Sequence, residues 1–265
     1  MGSNASMSLP RLNLDRTLAW SIGALIAVFL LFEFTPLDLW VQDHLYDSER
    51  RSWWVDGRNE IGRALFYTGP KVLIIAFGVF LVGIACVPSR LRPKLPPWLR
   101  SRRRVILTVL PLGLVPAVIG GIKATTNVFC PSEIRRYGGD VPYVRVLETY
   151  AAGDKPLRRG RCFPGGHASG GYALFAVAGL ALYRRGQLVA IAIGLGVGSL
   201  MGGYQMAKGA HYLSHTLITA LVAWSISAIF FKLSAFEDEY EESLERLRAL
   251  NRPAKANAPG GTDTV

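Results

Sequence analysis

Six stretches with almost no charge constrain this chain more than anything else in it: Leu18–Thr35, Val72–Val87, Val105–Ile122, Ala168–Tyr183, Leu188–Tyr204 and Leu213–Phe231. Crossing the hydrocarbon of a bilayer takes about 20 mostly apolar residues, and each stretch approaches that length once it borrows a few flanking positions. Any one run could be a core helix of a soluble domain, but six are hard to bury in 265 residues. Only 18% of the residues are charged, against about 25% in a typical soluble domain. Disordered, collagen-like and disulfide-scaffold classes fail on composition. The expectation is an all-α polytopic membrane protein with six transmembrane helices, since in lipid the backbone must satisfy its own hydrogen bonds. Gly194, Gly196, Gly198 and Gly202 suit close packing of the fifth span.

The net charge of +11 sits mainly between the spans. Ser89–Arg104 holds seven basic residues and no acid, and Arg184 and Arg185 follow the fourth span. The positive-inside bias puts both loops, and with them both termini, in the cytoplasm. Residues 1–6 read as a cloning remnant ahead of Met7, residues 7–234 as the membrane domain, and 235–265 as a cytoplasmic acidic helix with a disordered tail beyond Leu250. No cleavable signal peptide is expected, because the first apolar run lacks a small-residue cleavage site. Cys86, near the cytoplasmic end of span two, reads as a buried apolar residue.

Pro36–Lys71, Lys123–His167 and Gln205–Tyr212 are then the outer loops. The first mixes Leu39, Trp40, Leu45, Trp53 and Trp54 with charges, as amphipathic interfacial helices do. The second carries eight basic residues against four acidic ones. So basic an outer loop suggests an anionic substrate or anionic headgroups nearby. A soluble nucleic-acid binder, the other class that net charge suggests, is excluded by the spans.

His167, His211 and His215 fall at the outer ends of spans four to six, with Lys123 closing span three on the same side. An ionisable group at membrane depth is costly and is a functional candidate; the bland alternative is that each histidine anchors a span at the interface. His211 and His215 are spaced i, i+4 and share a face if helical. Zinc would need further ligands, and the nearest acids, Glu133 and Asp140, lie in a Lys/Arg-rich stretch, so no metal and no other cofactor is expected. The amides of Gly165, Gly166 and His167 stand where a helix begins, a place that favours phosphate. With cations for the oxyanion, one histidine as nucleophile and another as general acid, phosphoryl transfer follows.

In their order these residues resemble the type 2 phosphatidic acid phosphatase superfamily, which has six spans, three motifs on the outer face and no metal. Its Lys-x6-Arg-Pro motif reads here Lys123-x6-Cys130-Pro131. Its Pro-Ser-Gly-His reads Pro164-Gly165-Gly166-His167, and its Ser-Arg-x5-His-x3-Asp reads Tyr204-Gln205-x5-His211-x3-His215. The resemblance implies that His211 forms a phosphohistidine, His167 protonates the leaving alcohol, Lys123 binds phosphate oxygens and Gly166 offers an amide. Both family arginines are absent, and His215 replaces the orienting Asp. Lys208 and Arg161, which flank the histidines, are the expected substitutes for the lost cations.

Cys130 and Cys162 share the second outer loop. In an oxidising periplasm they can pair, closing 32 residues and contributing roughly 3–4 kcal/mol in the chain-entropy account. The expected protein is a metal-independent lipid phosphatase of a bacterial inner membrane, its active site periplasmic. Its partners are membrane lipids and an anionic phospholipid or prenyl (pyro)phosphate: phosphatidic acid, phosphatidylglycerophosphate, undecaprenyl pyrophosphate or a lipid A phosphate. Alternatives are a lipid phosphotransferase using the same intermediate and a catalytically inactive lipid-binding relative.

Overall fold

A computed structural model describes residues 14–250; the expected remnant at 1–6 and the tail beyond Leu250 lie outside the described residues. In chain order the elements are α1 (Leu14–Phe34), α2 (Leu37–Asp43), a hairpin of β1 (Tyr46–Asp47) and β2 (Ser52–Trp53), α3 (Glu60–Arg63), α4 (Gly69–Cys86), α5 (Pro97–Arg100), α6 (Arg102–Thr125), α7 (Gly166–Ala173), α8 (Arg184–Ala207) and α9 (Leu213–Leu250). The chain is a helical polytopic membrane protein. Among the described residues, five helical stretches are long and apolar enough to cross a membrane: Arg16–Phe34, Glu60–Cys86, Arg102–Thr125, Arg184–Ala207 and Leu213–Ser234. Large apolar side chains such as Trp20, Leu73, Val79 and Ile193 stay exposed on these helices, as lipid-facing positions do. Cys86 is also exposed, which corrects the expectation that it is buried: it lies on the outward face of α4.

The second long helix starts at Glu60 rather than Val72, because α3 runs through a π turn at Ala64–Thr68 straight into α4. Pro70 accounts for the π turn, since it has no N–H to return to Phe66. Gly69 instead donates to Ala64 O, and a Cβ at Gly69 would lie 2.6 Å from that oxygen. The segment expected as the fourth span is α7 followed by a 3-10 stretch, Leu174–Leu180. Both pack inside the bundle against α6, α8 and α9, while α1 lies along α9 and α4 along α6. Ala168, Tyr172, Ala173 and Phe175 of this broken segment meet Val115 and Ala223 in the core.

Glycines set how closely the helices approach. A Cβ on Gly198 would meet the Tyr172 ring at 2.3 Å, one on Gly194 would meet Phe175 at 2.9 Å, and one on Gly202 would meet Thr216 at 2.4 Å. This stripe of one turn per step lets α7, the 3-10 stretch after it and α9 press onto α8, whereas Gly196 has nothing within 4 Å of its Cβ position among the described residues. At the other end of α4, Arg92 donates from Nε to Arg100 O at 2.7 Å and from Nη1 to Ile84 O at 3.1 Å. This basic residue of the charged loop therefore staples the turn between α4 and α6. The expected acidic helix at Ala235–Leu250 continues α9 without a break.

Candidate active site

Three chain segments meet at one end of the bundle: the end of α6, the start of α7 and the turn from α8 to α9. Cys130 and Cys162 form a disulfide, as expected. Thr126 Oγ1 donates to Phe163 O at 2.7 Å, and Cys162 N–H to Val128 O at 2.8 Å. Together these bonds tie the Lys123 end of α6 to the loop that carries His167. The Phe163–Pro164 peptide in that loop is cis.

Gly209 ends α8 in a left-handed conformation (φ +74°), and a Cβ there would lie 2.2 Å from the Trp53 ring. Only glycine fits both demands. The turn then delivers His211, which is almost wholly buried. Its Nε2 lies 2.8 Å from Nδ1 of His167, and its Nδ1 lies 3.4 Å from both Nδ1 of His215 and Sγ of Cys162. Burial, reinforced by the charges of His215, His167, Lys123 and Lys208, holds the His211 imidazole well below its ordinary value of 6.5. His215 sits deeper, edge-on to Phe163 and Tyr212, and its carbonyl accepts the Gly165 N–H at 3.1 Å.

α2 presents two polar side chains inward, one turn apart. Gln42 Nε2 donates to His211 O at 2.5 Å. Asp38 accepts from Ser214 N–H at 2.9 Å and from Ser214 Oγ, so it caps the first turn of α9. Burial raises the Asp38 carboxyl from 3.8 to about 6, against the lowering effect of the hydrogen bonds from Ser214 and Leu213. The sequence reading had missed both residues. The signal the sequence carries is the i, i+4 spacing of Asp38 and Gln42, one turn apart on a short loop helix.

Of the expected cations, Lys123 and Lys208 stand near the histidines, and Lys71 joins them. Burial, and after it the charges of Lys123, Lys208 and Lys71, lower the His167 imidazole from 6.5 to about 4, and Lys123 Nζ would lie 3.8 Å from a Cβ at Gly166. Burial and the charge of Arg63 lower the Lys208 ammonium from its ordinary value, and its Nζ stands 5.2 Å from the centroid of the Tyr204 ring. Lys71 and Tyr67 were not singled out from the sequence. The π turn places Tyr67 edge-on to His167, with ring centroids 4.9 Å apart, and Lys71 Nζ is 5.7 Å from the Tyr67 ring. Arg161 is exposed and is not among the charges acting on the three histidines.

Much of the basic loop serves structure instead. Arg135 pairs with Asp154, Arg136 with Asp43, Arg145 with Glu148 and Arg158 with Glu133, so an anionic ligand is not needed to explain them. The amides expected to cradle phosphate also have other partners, Gly165 N–H on His215 O and Gly166 N–H on Pro164 O. Gln205, standing at an arginine position of the family motif, is fully buried, and neither end of its amide has a hydrogen-bond partner among the described residues.

A nucleophile-sized imidazole with a second imidazole on its Nε2, a third beside its Nδ1 and three lysines nearby is equipped for transfer of an anionic group. Comparison with protein families agrees: the family model described as the PAP2 superfamily matches residues 104–238. No curated protein and no solved structure matches the chain. The match takes in Lys123, the disulfide and all three histidines, and on it the chain belongs to the PAP2 superfamily, whose members are generally membrane phosphatases.

Proposed function

We propose that this protein hydrolyses a phosphate or pyrophosphate headgroup from a membrane lipid through a phosphohistidine on His211. The observation that carries the reading is the 2.8 Å contact of His211 Nε2 with His167 Nδ1 at the lysine-lined end of a membrane bundle. His215, with Nδ1 3.4 Å from that of His211, favours the tautomer with the proton on His211 Nδ1, which leaves the Nε2 lone pair to attack phosphorus. The entering anionic phosphate favours the protonated form of His167; the P–O bond to the lipid then breaks as the P–N bond forms, and the His167 imidazolium passes its extra proton to the leaving alkoxide. Water then attacks phosphorus, giving His167 a proton, and the P–N bond breaks to release phosphate. Lys123, Lys208 and Lys71 supply the cationic surroundings that the family's arginines would provide.

The disulfide at the histidine end supports an oxidising, periplasmic side for the site. The basic Ser89–Arg104 loop at the opposite end supports a cytoplasmic side there, in a bacterial inner membrane with cytoplasmic termini. A lipid-borne substrate fits a site at the end of lipid-facing helices; an anionic phospholipid or a prenyl (pyro)phosphate meets that description. The test is phosphate release in detergent with EDTA from a panel of such lipids, comparing wild type with His211→Ala. Release that survives EDTA and vanishes in the variant is the expected result. Loss of lipid phosphate without free phosphate would make the protein a transferase, and no turnover of any lipid would make it a binder.

A further inference from the structure

Nδ1 of His211 faces away from the substrate side and toward sulfur. The ligand atoms of Cys130, Cys162 and His211 all lie within 4.8 Å of one another. Cys162 Sγ is 3.4 Å from His211 Nδ1, and His215 Nδ1 is 3.4 Å from that same nitrogen. Tetrahedral zinc, with bonds of about 2.3 Å to sulfur and about 2.0–2.1 Å to nitrogen, has S···N edges of about 3.5 Å and N···N edges of about 3.4 Å. Two edges of such a site are therefore already present. Only the disulfide keeps both thiolates from serving as ligands.

We propose that opening the Cys130–Cys162 disulfide creates an inhibitory site for a thiophilic divalent cation such as Zn²⁺, held by Cys130, Cys162 and His211 with His215 at hand as a fourth ligand. A dithiol reductant supplies the two electrons and two protons: its own sulfurs form a disulfide while Cys130 and Cys162 become thiols. Cys130 is partly exposed while Cys162 and His211 are buried, so reductant and metal enter from the Cys130 side. Binding releases the two thiol protons to water, leaving two thiolates on the metal. His211 coordinates through Nδ1, which moves its ring proton to Nε2, where it donates to His167 Nδ1. The lone pair needed for attack is then gone, so metal binding silences the enzyme. This last consequence rests on the proposed role of His211; the metal site itself does not.

The test uses the full-length protein in detergent in a Cys86→Ser background, so that the only thiols come from the bridge. After reduction with a phosphine and its anaerobic removal, Co²⁺ is titrated and the thiolate-to-cobalt charge-transfer band and tetrahedral visible bands are recorded. The expected result is saturation at one Co²⁺ per chain in reduced protein, displacement by Zn²⁺, and no band in oxidised protein. His211→Gln in the reduced state should weaken Co²⁺ binding by at least roughly tenfold. No band in reduced protein, or the same band in oxidised protein, overturns the site. Zn²⁺ should abolish phosphate release from reduced but not oxidised protein. Full release from the Zn²⁺-loaded reduced form would leave the site standing and refute its inhibitory role.

Discussion

His167 Nδ1 lies 2.8 Å from His211 Nε2, although one residue heads α7 and the other closes the turn between α8 and α9. In the proposed reaction, His167 on the hydrogen-bond axis of the attacking nitrogen would stand next to the leaving oxygen once a phosphoryl group enters between them. His167→Gln should therefore lower release from a lipid phosphate by about 10²–10⁴-fold. With an aryl phosphate, whose phenolate leaves without a proton, first-turnover release of the phenol should suffer far less, while hydrolysis of the adduct still slows. Equal losses of first-turnover alcohol and phenol release would make His167 a packing residue.

Lys71 contributes charge from outside the part of the chain that the family model covers. It is exposed, so the part it would play in the proposed reaction is attraction rather than precise positioning. Lys71→Met should raise KM about tenfold, equivalent to about 1.4 kcal/mol, with kcat little changed and a weaker dependence on ionic strength. Lys71→Arg should restore KM. A fall in kcat with unchanged KM would contradict this division of labour.

Burial holds His211 well below 6.5. In the proposed reaction this ring attacks unprotonated, so kcat/KM, corrected for ionisation of the substrate, should not fall as pH drops through 6.5. An acid limb centred near 6.5 would show an ordinary, solvated imidazole instead. The same shift has a stability consequence of definite sign: the unfolded chain binds the proton more readily, so the folded state loses stability as pH falls below 6.5.

Asp38 acts in the opposite direction. Its folded value of about 6 exceeds 3.8, so its contribution is fully present below 3.8 and is lost as pH rises through about 6. The shift corresponds to roughly 3 kcal/mol. Asp38→Asn cannot titrate, so the difference in unfolding free energy between wild type and variant should shrink by about that much between 3.8 and 6. A pH-independent difference would leave Asp38 as a simple cap.

Gln42 reaches the site through the backbone, donating to the carbonyl of the residue proposed to attack phosphorus. Gln42→Ala strands a buried acceptor, which costs roughly 1–3 kcal/mol. It should lower both the unfolding temperature and kcat, while Gln42→Glu, which keeps the shape but presents an acceptor, should do no better. An unchanged unfolding temperature in Gln42→Ala would show that water replaces the amide.

The apolar runs were legible because hydrocarbon tolerates few charges, and the three histidines and Lys123 because span ends alternate sides. The start at Glu60 was not, since charges between Glu60 and Lys71 mask a helix whose π turn answers to Pro70 alone. The broken fourth segment reads as a plain apolar run, yet its 3-10 half is set by packing on α6 and α8. Ion pairing hid the true state of the basic loop: Arg135 finds Asp154 across 19 positions and Arg136 finds Asp43 across 93. Such partners emerge only from tertiary structure, as do Tyr67 against His167 and the clamp of α2 on His211. The cysteine pairing was legible from shared loop and compartment, but the packing of its sulfur on His211 was not.

The central claim is that phosphorus becomes bonded to His211. Rapid acid-free quenching during turnover, followed by peptide mass spectrometry at neutral to alkaline pH, reads this directly. The prediction is a phosphate adduct on the peptide containing His211, localised to that residue, labile to acid, and accumulating in a His167 variant given an aryl phosphate. A wild type that releases phosphate while no adduct forms on His211 under any quench would contradict it.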